Sequence, residues 1–170
     1  PLLEASNSPF GTIPFQDIKF EHFLPAITSG IKASESALQK ITECQDNPTF
    51  ENTILALELS GQILDTATRT YYHLFGSESD QNFKDLSDKI SPMLAEFENN
   101  LYLNEKLFKR IEVVFSNKHL LEDEEDIRLT EVTYKDFVKN GAALNATDKA
   151  ILRDIDKTLS TLSPKFSKNT

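Results

Sequence analysis

The chain has 170 residues, 39 % of them hydrophobic and 26 % charged, with 12 Phe and no Trp. That is the profile of one soluble globular domain, large enough to bury roughly 70 % of its unfolded surface around Leu, Ile and Phe. A net charge of −9 and a pI near 4.8 repel phosphate backbones and argue against general nucleic-acid or anionic-membrane binding.

Residues 1–18 carry three prolines, Gly11 and scattered Phe without a helical period. Pro9-Phe10-Gly11 and Ile13-Pro14-Phe15 read as an extended arm pinned by its aromatic residues to a helical body of residues 19–170. Phe20, His22, Phe23 and Pro25 form a short turn. A first long helix follows with Leu24, Ile27, Ile31, Leu38 and Ile41 on one face, and Pro25 is tolerated in its first turn. Asp46-Asn47-Pro48 ends it.

Thr49 stands at the N-cap of the second helix. Its hydroxyl is placed to accept from the Asn52 N–H, and Glu51 suits the positive end of the helix dipole. Phe50, Ile54, Leu57, Gly61, Leu64, Thr68, Tyr71 and Phe75 then recur in steps of four and three. This spacing predicts one helix of about seven turns, from about residue 49 to 75, with a single buried stripe that includes Leu57.

Gly76-Ser77 stops that helix, and Ser79 or Asp80 caps a third, bearing Phe83, Leu86, Ile90, Met93 or Leu94, Phe97 and Leu101. Pro92 lies within this pattern and is expected to kink it. Asn104 caps a fourth helix with Leu107, Phe108, Ile111, Val114 and Phe115. After a loop near Ser116-Asn117-Lys118 comes the acidic run 122–126. A fifth helix carries Ile127, Thr130, Tyr134, Phe137 and Val138, with Gly141 at C′. Asn145 caps a sixth, with Ile151, Leu152, Ile155, Leu159, Leu162 and Phe166 facing inward. No strand-like alternation, hairpin signal or fixed-period repeat is present. The fold class is all-α, an antiparallel bundle of about six helices with an extended N-terminal arm.

Few residues offer chemistry. Cys44 is the single cysteine, so no intrachain disulfide or thiolate cluster can form, and its acidic neighbours Glu43 and Asp46 disfavour a nucleophilic thiolate. His22, His73 and His119 do not belong to H-E-x-x-H; His119 and Glu122 stand three apart without a third ligand. The run 122–126 lacks the glycine and oxygen spacing of an EF-hand, and acidic residues at a helix start need no ligand. Asn145-Ala146-Thr147 matches a glycosylation sequon, although Asn145 serves better as an N-cap with Asp148 at N3. Tyr71-Tyr72 and the Phe-rich arm form either core or a ligand surface, and helical spacing favours core. No nucleophilic triad, phosphate loop or basic strip stands out. No catalytic, cofactor-binding or metal residue is assigned. No apolar run reaches the ~18 residues of a membrane span. Pro1-Leu2-Leu3-Glu4 shows no signal-peptide pattern. Without an initiating Met, a processed chain or a piece of a longer one is expected.

An ordered set of motifs runs over nearly the whole chain. Pro1-Leu2-Leu3, Pro9-Phe10-Gly11, Pro14-Phe15, Phe23-Leu24-Pro25-Ala26-Ile27, Pro48-Thr49-Phe50-Glu51-Asn52-Thr53-Ile54 and Leu59-Ser60-Gly61 open it. Ile90-Ser91-Pro92, Leu101-Tyr102-Leu103-Asn104-Glu105, Tyr134-Lys135-Asp136-Phe137-Val138, Gly141-Ala142-Ala143-Leu144 and 162–169 complete it. Together they resemble the N-terminal region of the thimet oligopeptidase family of zinc metallopeptidases, with the Pro-Phe-Gly arm closer to the peptidyl-dipeptidase branch. The resemblance implies a helical wall of a deep channel that admits short, unstructured peptides, with dipeptides released from a free carboxyl end. Zinc and its H-E-x-x-H helix are implied in a later catalytic part, which would be the partner of these residues, and none lies here. A cytoplasmic location is expected, or a periplasmic or exported one. The competing reading is a free-standing helical interaction module without enzymatic activity. The two differ at the last helix: one half of a clamshell leaves Phe166 partly exposed, whereas a self-sufficient module buries it.

Overall fold

The computed structural model describes residues 2–3, 12–77 and 81–167, without the side chains of 76–77, 163–165 and 167. Among them there is no strand, and the chain forms seven α-helical segments: α1 (Phe23–Glu43), α2 (Ala56–Ser60), α3 (Gln62–Ser77), α4 (Gln81–Tyr102), α5 (Glu105–Ser116), α6 (Glu124–Lys139) and α7 (Ala146–Ser167). The all-α expectation is borne out. Pro9-Phe10-Gly11 and the Ser79 or Asp80 cap lie outside the described residues. The described arm is less extended than expected, since Phe15–Asp17 makes a 3-10 turn, and Leu2 is buried against the body.

The expected second helix is not one regular helix. Thr49 caps it as anticipated, accepting from the Asn52 N–H at 3.3 Å, while Asn52 Oδ1 accepts from the Thr49 N–H at 2.9 Å. Phe50–Leu55 is π-helical, and the passage breaks again at Gly61 between α2 and α3. A π turn takes more residues per turn than an α turn and so rotates every downstream side chain. Leu57 is therefore only half-buried, while Ala67 and Thr70 join Ile54, Leu64 and Tyr71 inside.

Helices α1 and α3, α5 and α6, and α4 and α7 pack as antiparallel pairs. Along α1 and α3, Phe23 meets Tyr71, Gly30 meets Leu64, and Ser34 Oγ donates to the Ser60 carbonyl at 3.0 Å, beside the break. Along α5 and α6, Phe108 stacks with Phe137 and Phe115 with Tyr134. Helix α4 runs through Pro92 and packs against α7. Phe23, Ile27, Ile54, Tyr71, Ile90, Leu107 and Ile111 are the fully buried large side chains at the centre.

The remaining ends follow local chemistry. Asn104 Oδ1 accepts from the Leu107 N–H at 3.0 Å and Asn145 Oδ1 from the Asp148 N–H at 3.0 Å. Gly141, at φ 92, donates to the Val138 carbonyl while Ala142 donates to that of Phe137, which closes α6 in a Schellman motif. Two expectations are corrected here. Val138 is exposed, and Ile151, Ile155, Leu159, Leu162 and Phe166 face outward rather than inward.

Candidate functional site

The residues considered for chemistry on sequence grounds stay dispersed. His22 Nδ1 accepts from the Lys19 N–H at 3.1 Å in the turn before α1, and the His73 ring lies 6.1 Å from that of Phe15. His119 sits in a separate 3-10 turn, Lys118–Leu120. Among the described residues no group of three or more His, Cys, Asp or Glu converges as a metal would require. Cys44 is half-buried, with Sγ 4.0 Å from Asp46 Oδ2. The acidic run is a helix start: Asp123 Oδ1 accepts from the Glu125 N–H at 2.7 Å, and Glu124, Glu125 and Asp126 fill the first turn.

Tyr71 belongs to the core. Its hydroxyl donates to the Phe83 carbonyl at 2.7 Å, and its ring touches those of Phe23, Phe75 and Phe83. Burial pushes its hydroxyl up to about 12, which removes it from proton chemistry at neutral pH. Tyr72 alone of the pair reaches solvent.

Sequence reasoning missed Arg110. It is buried on α5, where Nη1 donates to the Cys44 and Asp46 carbonyls at 3.0 and 3.2 Å and Nη2 to Asn52 Oδ1 at 2.9 Å. Its position between Leu107 and Val114, on their buried stripe, was the available signal. The Pro48–Ile54 motif thus closes a turn that a distant arginine holds, which is a structural task.

Among the described residues, two features on α7 bear on interaction. One is the seam between α4 and α7, where a cleft of about 230 Å3 is bordered by Glu98, Asn99, Tyr102, Asp156 and Leu159. Partial burial, then the Asp156 charge, holds the Glu98 carboxyl above its usual range; burial, Glu98 and Asp136 do the same to the Tyr102 hydroxyl.

The second feature is the outer face of α7. Ile151, Ile155, Leu159, Leu162 and Phe166 repeat in steps of four, four, three and four, and all are about half-exposed or more, with Phe166 73 % exposed. At 100° per residue they make one apolar stripe. The side of α7 turned to α4 and the start of α5 is the more polar one: Lys149 is buried and reaches Glu105 of α5 at 3.7 Å, and Arg153 donates to Asn100 of α4 at 3.0 Å. Asp156 and Ser160 complete that side. No helix among the described residues is long and apolar enough to cross a membrane.

No protein-family profile matches the chain. It is 34 % identical over 168 residues to a dipeptidyl carboxypeptidase of Escherichia coli and 33 % identical to a dipeptidyl carboxypeptidase of Salmonella typhimurium. Each alignment takes in 98 % of this chain and 25 % of the relative. An oligopeptidase A of Haemophilus influenzae is 25 % identical, over 99 % of this chain and 24 % of its own length. The chain is therefore homologous to a part of these peptidases and spans about a quarter of the curated relatives it matches. The resemblance drawn from the ordered motifs is borne out, and identity is higher to the dipeptidyl carboxypeptidases than to the oligopeptidase.

Proposed function

We propose that these residues form the N-terminal, channel-wall domain of a zinc peptidyl-dipeptidase that releases dipeptides from the carboxyl ends of short peptides. The alignment of 98 % of the chain with only a quarter of two dipeptidyl carboxypeptidases carries this reading. In it, the water-activating zinc and its ligands belong to the other part of the polypeptide, and this part supplies a rigid helical wall. A wall needs no nucleophile, and the dispersal of His22, His73 and His119 fits that role. The exposed Phe166 also agrees with one half of a larger body better than with a self-sufficient module.

Two measurements test the reading. The coding sequence beyond Thr170 is expected to continue for several hundred codons and to encode H-E-x-x-H; a stop codon there overturns the proposal. The complete polypeptide is expected to release carboxyl-terminal dipeptides from unstructured peptides, whereas the purified 170-residue chain binds no stoichiometric zinc and cleaves none. Tight one-to-one zinc on the short chain would equally overturn the division of labour.

A further inference from the structure

We propose that the outward face of α7, Ile151–Ile155–Leu159–Leu162–Phe166, is an intramolecular docking ridge, covered in the complete polypeptide by an apolar helical face from the remaining part of the chain. This rests on the proposed function and assigns its domain contact to one helix. The stripe runs roughly 22 Å along the helix, which matches the length of a helix–helix contact rather than a pocket for one side chain.

The observations limit the occupant. A contiguous apolar ridge of this length is rarely left bare on a monomer. This chain's own body leaves the ridge about half-exposed or more: α4 packs on the more polar side of α7 through Arg153–Asn100 and the cleft lined by Glu98 and Asp156, which meets the edge of the ridge at Leu159. A second copy is disfavoured by charge, since pairing would bring together two bodies of net charge −9. The curated relatives are about four times as long as the stretch aligned, so ample chain exists to supply the cover. A convex helix face offers a free peptide no enclosing walls, whereas it fits the groove between ridges of another helix.

The test uses the complete polypeptide beside the 170-residue chain, each with Cys44→Ser and a single reporter, Leu159→Cys. Maleimide labelling is followed under native conditions, with Thr161→Cys, exposed and about 120° round the helix from the ridge, as the control. The reporter at 159 is expected to label at least roughly tenfold more slowly in the complete polypeptide than in the short chain, independently of protein concentration. Equal labelling in both forms overturns the proposal. Protection in the short chain that grows with concentration overturns it in favour of a second copy. A second pair of measurements guards against misfolding: Leu162→Asp leaves the unfolding midpoint of the short chain unchanged and lowers that of the complete polypeptide. A complete polypeptide that protects residue 159 yet releases no dipeptides refutes the proposed activity and leaves the docking ridge standing.

Discussion

Asn52 Oδ1 accepts from Arg110 Nη2 at 2.9 Å, across 58 positions of sequence, and the same oxygen accepts from the Thr49 N–H and the Thr53 hydroxyl. Asn52 Nδ2 donates in turn to the Asn47 carbonyl at 2.9 Å. One amide therefore caps the π-helical turn, anchors the preceding loop and receives a buried cation. The most recognisable motif of the chain is thus a folding device, its polar side chains engaged in capping and in holding the loop.

Replacing Arg110 by Met keeps the apolar stem but leaves the Cys44 and Asp46 carbonyls and Asn52 Oδ1 without their donor. The expected loss is on the order of 3 kcal/mol, because hydrogen bonds from a buried charged group count for more than neutral ones. Arg110→Lys restores only part of it, since an ammonium cannot reproduce the planar fork. Urea midpoints of the two variants, with Asn52→Ala and the double variants, check this. Additive losses for residues 52 and 110 would show that the network is not one unit.

Glu98 carries a pH signature. Its folded-state carboxyl titrates above the ordinary value because of burial and then Asp156. The folded form thus holds its proton more tightly than the unfolded form, and stability falls as pH rises from the ordinary carboxylate range through the raised value. Glu98→Gln removes that penalty. The variant is expected to unfold at a higher temperature than the parent at pH 7, with the difference disappearing at pH 3. A variant less stable than the parent at pH 7 would contradict the assignment.

Local chemistry was legible in the sequence where a few neighbouring residues decide it. Thr49, Asn104, Asn145 and Gly141 occupy the caps that their side chains or φ preference anticipate. The errors arise where several elements must agree. The period through Phe50 and Leu57 assumes α geometry, and the π turn at Phe50–Leu55 breaks that assumption. The stripe on α7 is visible as an apolar face, but a pattern cannot tell which body covers it, so its inward assignment failed. Arg110 was overlooked because a charged residue on a buried stripe makes sense only once the carbonyls it meets are known.

The rotated register gives Ile54 and Leu57 different weights. Ile54 is 1 % exposed and Leu57 is only partly buried against the core. Ile54→Ala is expected to cost roughly 2–5 kcal/mol, as for a fully buried aliphatic side chain, and Leu57→Ala distinctly less. Denaturant unfolding of both variants ranks them. A larger loss at residue 57 would restore the regular α-helical register and remove the π turn from the account.

Two glycines, Gly30 on α1 and Gly61 at the junction of α2 and α3, should respond with opposite signs. A Cβ at Gly30 would lie 2.9 Å from the Leu64 Cα, a backbone atom that cannot swing aside as a flexible side chain does. Gly30→Ala must then push α1 and α3 apart, losing contacts around the close packing of Phe23 and Tyr71, at a cost of roughly 1–3 kcal/mol. Gly61 has φ −97 and ψ −4, a right-handed conformation open to any residue, and a Cβ there meets nothing within 4 Å. Gly61→Ala narrows the unfolded ensemble without a clash and is expected to add about 0.5–1 kcal/mol. Thermal unfolding of the two single variants decides the matter. A destabilising alanine at 61 would mean that the break between α2 and α3 needs glycine's freedom, and a neutral one at 30 would mean that the α1–α3 contact is looser than the 2.9 Å approach implies.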